Sequence, residues 1–114
     1  MLEADCIRVL HMIDACSKAI EFIENKSMSD LESDKLLQFA VVRAIEIVGE
    51  AASRVTSETR SQHPEVPWLA IVGMRNRLIH AYFDINTVIL WHALTQEIPD
   101  LLIKLEIIIG PVKV

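Results

Sequence analysis

Apolar residues recur every third or fourth position along most of this chain, and no useful length of it alternates at period two. That periodicity lays one apolar stripe on each of a few helices and leaves no material for a sheet. Over 4–25 the stripe consists of Ile7, Leu10, Ile13, Ile20 and Ile23, widened by Val9, Met12, Cys16 and Ala19. The stretch NKSMSDLESDK interrupts it with small polar residues, and Asp30 or Ser33 is a candidate cap for the helix that follows. The second long segment, about 35–54, is apolar on most faces and is therefore expected at the centre. Gly49 inside it lowers helix propensity by about 1 kcal/mol relative to alanine, which close approach of a neighbouring helix would compensate.

SQHPEVPW is the clearest break, because two prolines flanking a charged residue cannot continue a helix. A third helix is expected over 68–79, offering Trp68, Ile71, Val72 and Leu78 or Ile79 to the core. Residues 83–86 break the chain again, with Asp84 as a candidate cap. A last helix over 86–109 ends at Gly110-Pro111 and is bent or divided by Pro99. The expected fold is all-α. It is an antiparallel bundle of four main helices, five if Pro99 is a boundary, in one domain spanning 1–114.

Composition narrows the class. At 114 residues and 52% hydrophobic the chain can bury one core but not two. No run approaches the roughly 18 uninterrupted apolar residues of a membrane span. The N-terminus MLEADCIRVL lacks the layout of a signal peptide, so a cytosolic, membrane-free protein is expected. Cys6 and Cys16 lie in the first helix, about 15 Å apart along its axis, too far for a disulfide; both read as small buried residues. No cysteine or histidine cluster has metal-ligand spacing, and no cofactor or metal is expected. Net charge is −5, all of it in residues 1–34, where eight acids face three bases. From Val66 to Phe83 there is no acid at all, only Arg75, Arg77 and His80. A cationic patch on an acidic body suits a small amount of phosphate better than a long nucleic-acid track.

That patch is RNRLIHAYF, Arg75–Phe83. Were Arg75 and His80 both helical, five residues apart, their directions would differ by about 140°. They meet only if His80 lies in a fraying last turn, or if two copies of the helix face each other in a dimer. The chemistry of such a pair is specific. A guanidinium offers fork-shaped donors to phosphoryl oxygens, and an imidazole moves protons near neutral pH.

The run Arg75-Asn76-Arg77-Leu78-Ile79-His80-Ala81-Tyr82 fits the R-x4-H-x-Y pattern of the HEPN superfamily. More specifically, the chain resembles the HepT-like toxins of HepT–MntA toxin–antitoxin pairs. AIEIVGEAASRV resembles that family's central helix, HPEVPWLAIVGMRN its approach to the motif and HAYFDINTVILWHAL its exit. The resemblance covers at least residues 36–101 and implies a homodimeric, metal-independent endoribonuclease in which the RNA's own 2′-hydroxyl attacks the phosphorus. His80 would shuttle protons, Arg75 would stabilise phosphoryl charge, Asn76 would add a hydrogen bond and Glu50 would support Arg75. The product would carry a 2′,3′-cyclic phosphate, and DNA should resist. The implied partner is an MntA-like nucleotidyltransferase antitoxin that adds AMP to Tyr82, filling the phosphate site with bulk and negative charge.

Each residue also has a plainer reading. Arg75 can cap its helix or pair with Glu46 or Glu50, and Glu50 can be an ordinary surface acid. Arg77 reads as solvated or dimer-pairing, and His11, His63 and His92 read as packing or solvent residues. The competing functional reading is a non-catalytic helical partner, a nucleotide-binding subunit of a nucleotidyltransferase, in which the cluster binds without cutting.

Overall fold

The computed structural model describes residues 1–81 and 84–110, and for 79–81 the backbone alone. The elements in chain order are α1 (Glu3–Phe22), α2 (Met28–Ser33), α3 (Lys35–Ser53), α4 (Ser57–Gln62) and α5 (Trp68–Leu78). They continue as β1 (Ile79–Ala81), β2 (Asp84–Ile85), α6 (Thr87–His92), a π-helical turn (Ala93–Glu97) and α7 (Ile98–Ile109). The chain is predominantly helical, as the periodicity demands. Among the described residues it departs from the expected four or five helices by the short α2 and α4, and from an all-helical chain by a minimal antiparallel pairing of β1 with β2, Ile79 against Ile85 and Ala81 against Asp84. The pairing is too short to leave a period-two signature.

The central segment is central. α3 lies between α1 and α5, and α7 packs against α1. The core runs through Val41, Ile45 and Val48 of α3, Val9, Met12 and Cys16 of α1, Leu78 of α5 and Leu94, Ile98 and Leu105 near the C-terminus. On α1 the buried face is narrower and rotated from the expected stripe. Val9, Met12, Ala15, Cys16 and Ala19 are buried, while Ile7 and Leu10 remain exposed. That face is the one α1 turns toward α3 and α7. Burial also pushes the Cys16 thiol up to about 12, so it behaves as an inert apolar group.

The caps lie one step from the expected positions. Ser27 opens α2 through a reciprocal capping box with Asp30. Asp34, not Asp30 or Ser33, caps α3 by accepting from the Leu37 N–H at 3.1 Å. Asn86, not Asp84, caps α6 by accepting from the Ile89 N–H at 3.0 Å. At the far end of α3, Arg60 donates to the carbonyls of Ala52 at 2.7 Å and Val55 at 3.1 Å, satisfying groups a helix end leaves open. The last helical segment is divided at Pro99 as expected: α7 begins at Ile98, with Pro99 in its first turn. The proline ring conflicts with the carbonyl four residues back, and the chain absorbs this as the π turn that immediately precedes α7. Among the described residues no helix is long and apolar enough to cross a membrane.

Candidate active site

The site begins at Gly49. A Cβ there would stand 3.4 Å from the Ile71 carbonyl oxygen and 3.7 Å from that of Val72. The α5 backbone is thus the close neighbour that a glycine in this helix suggests, at a distance where a methyl would just make ordinary contact. Beside this contact runs a shallow groove of about 210 Å³, floored by Ile45, Gly49 and Ile71 and walled by Glu46, Glu50 and Arg75. Arg75 stands in the last turn of α5, and its Nε donates to Glu46 Oε2 at 2.5 Å. The plainer reading of Arg75 is therefore realised in the isolated chain, with Glu46 as the partner. Glu50 lines the same groove but accepts instead from Arg43 Nη1, at 3.2 Å.

That ion pair does not exhaust the guanidinium. Arg75 is 53% exposed, and Glu46 engages one of its five N–H donors. The terminal nitrogens remain available to a second planar acceptor, the geometry a phosphate offers. A pair this exposed is worth about 0–1 kcal/mol, so a dianionic or bidentate competitor can displace the carboxylate. Asn76 is exposed beside it. Arg77 turns away, donating to Glu97 Oε2 at 3.2 Å across to the π turn.

α5 ends at Leu78, one residue short of the expected end, and the backbone of 79–81 is extended. His80 is thus not in helical register with Arg75, and the helical angle between them does not apply. The Leu78 carbonyl accepts from the Asn86 N–H at 2.8 Å, which draws the start of α6 to the end of α5. The His80 side chain and all of Tyr82 lie outside the described residues. Among the described residues no three His, Cys, Asp or Glu side chains converge in a way that could hold a metal ion.

A buried charge was missed by the sequence reading. Asp5 is 1% exposed, and it accepts from Thr56 Oγ1 and Thr59 Oγ1, each at 2.6 Å, and from the Thr56 N–H at 3.1 Å. These bonds hold its carboxyl below the usual carboxylate value. Its signal was present: Asp5, Val9, Met12, Cys16 and Ala19 share one helical stripe, and an acid on a buried stripe needs partners.

The family model described as "Ribonuclease HepT-like" matches residues 12–108. "Putative RNase TTE0752" of Caldanaerobacter subterraneus subsp. tengcongensis is 42% identical over 91 residues, covering 80% of this chain and 81% of that protein. "Probable ribonuclease HepT" of Thermococcus cleftensis is 40% identical over 98 residues, covering 82% of this chain and 89% of that protein. No solved structure matches significantly.

Proposed function

The chain belongs to the ribonuclease HepT-like family, and on that premise we propose that it is a metal-independent endoribonuclease, the toxin of a toxin–antitoxin pair. Its single domain works in the cytosol as a homodimer of antiparallel helical bundles. The observation that supports this best is the placement of Arg75: itself half exposed, held at a groove edge by the one partly buried carboxylate of Glu46, with its remaining donors open. In this reading the scissile phosphate takes over from Glu46. Arg75 then offers paired N–H groups to the non-bridging oxygens, whose charge grows as the 2′-oxygen attacks phosphorus. His80 removes the 2′-hydroxyl proton and returns a proton to the departing 5′-oxygen, so the bond to the 2′-oxygen forms as that to the 5′-oxygen breaks. Asn76 adds a donor at the rim, and Glu50, steadied by Arg43, shapes the wall opposite Arg75. The extended backbone at 79–81 frees His80 from the helical register that would point it away from Arg75.

The antitoxin in this reading is an MntA-like nucleotidyltransferase that transfers AMP to Tyr82. An added phosphodiester two residues after His80 would compete with RNA for Arg75.

The test is cleavage of mixed-sequence RNA in EDTA by the partner-free protein, beside His80→Ala and an intact-mass measurement. Cleavage by the parent alone, with cyclic-phosphate ends, is the expected result, and loss in His80→Ala should reach about 10²–10⁴-fold. A silent parent heavier by AMP units would mean the neutralised form, and loss of the added mass in Tyr82→Phe would assign the modification to Tyr82. Silence at the unmodified mass would overturn the nuclease reading in favour of a non-catalytic partner of a nucleotidyltransferase.

A further inference from the structure

A second groove flanks α3 on the side away from α5. It lies between α1 and α3 and is lined by Arg8, His11, Ile47, Glu50, Ala51 and Arg54. Arg8 and His11 stand three apart on one face of α1, and Arg54 closes the C-terminus of α3. Among the described residues neither arginine side chain has an ion-pair or hydrogen-bonding partner. The one acid in the groove, Glu50, is taken by Arg43. In a chain of 16 acids and 11 bases, two unpaired arginines and a histidine converging on one groove is not what composition delivers. The dipole of α3 favours Arg54 at its C-terminus, but that of α1 fades within the first turn and gives no reason for Arg8 in the second. Ile47 and Ala51 give the groove an apolar floor between the cations.

Glu50 lines this groove and the Arg75 groove alike, so the two are separated by the width of α3 alone. We propose that the Arg8–His11–Arg54 groove binds a phosphate of single-stranded RNA flanking the one held at Arg75, with a ribose or base against Ile47 and Ala51. This rests on the ribonuclease reading for its ligand and extends it. The strand would cross α3 at Glu50, and substrate length would matter through binding rather than through the chemical step.

The experiment measures binding of a labelled single-stranded oligoribonucleotide to the full chain carrying His80→Ala, which keeps the RNA intact, over a range of salt concentrations. Adding Arg8→Ala and Arg54→Ala together should weaken binding about tenfold and flatten the slope of log Kd against log salt by about 0.7, the loss of one neutralised phosphate on a single strand. Arg8→Lys with Arg54→Lys should restore most of the slope, and thermal unfolding should not move, since neither side chain has a partner to lose. Unchanged affinity and slope in the alanine pair overturns the proposal, as does equal loss in the lysine pair. Cleavage by the chain with His80 intact is read beside it. Cleavage insensitive to Arg8 and Arg54 on long RNA sinks the groove and leaves the nuclease. Binding that depends on both arginines without any cleavage keeps the groove and sinks the nuclease.

Discussion

Two acids in this molecule each reach across to another element, and they do opposite things. Asp5 is sealed from water, with both oxygens bonded by two threonine hydroxyls and a backbone N–H of α4 and its cap. Glu46 meets the half-exposed Arg75 through one contact, at the edge of an open groove. A buried carboxylate with both oxygens engaged has no cheaper state to move to, so it rivets α1 to the start of α4. An exposed pair with unused donors is nearly degenerate with its separated form, so it can exchange partners. Burial and the bonding of both oxygens, not the presence of charge, separate the charge that holds the fold from the charge that can do chemistry.

The largest expected effect comes from the exchangeable side. Arg75→Ala should lower cleavage about 10²–10³-fold while leaving the unfolding midpoint nearly unmoved. Arg75→Lys should recover only part, because a point charge cannot reproduce the guanidinium fork. A large fall in stability with Arg75→Ala would break the comparison, since the pair with Glu46 would then be structural. Asp5→Asn should show the reverse: about 1–3 kcal/mol less stable in denaturant titration, with turnover per folded molecule unchanged. The pH dependence follows from the lowered folded-state value. Asp5 stabilises fully above its ordinary value of 3.8, and that contribution disappears as pH falls through the lower folded value. The stability gap between parent and Asp5→Asn should therefore hold at neutral pH and shrink below about pH 3.8. A gap that widens in acid would mean Asp5 is not the charged acceptor in the folded state.

The long helices were legible because their period is a property of the sequence itself. The breaks at SQHPEVPW and at Gly110 were legible because proline and glycine act locally. The need for a close neighbour at Gly49 was legible for the same reason, and α5 supplies it. Positions decided by tertiary competition were not. Ile7 and Leu10 carry the stronger hydrophobic signal on α1, yet the face α1 turns toward α3 and α7 is that of Ala15, Cys16 and Ala19. In the site, Arg75 could be singled out by its neighbours in sequence, but its carboxylate could not. Glu46 and Glu50 are one turn apart on α3, and only the packing angle of α5 assigns the first to Arg75 and leaves the second to Arg43. The Arg8–His11–Arg54 groove was invisible for a related reason: its members lie 43 to 46 residues apart between helices and share no motif.

Gly49→Ala carries the smallest expected effect and probes the joint between rivet-like packing and the exchangeable pair. The new methyl would meet the Ile71 carbonyl oxygen at 3.4 Å, the near edge of ordinary contact, while removing glycine from a helix interior is worth about 1 kcal/mol. The propensity gain should prevail, giving stabilisation of under about 1 kcal/mol and cleavage within about twofold of the parent. Loss of both stability and cleavage would instead mean that α5 is pressed hard enough onto α3 for one methyl to shift it. Arg75 would then owe its position to backbone packing at Gly49 more than to Glu46. Combining Gly49→Ala with Glu46→Gln decides between them: additive effects keep packing and ion pair independent, and a strong non-additive loss of cleavage ties Arg75 to both.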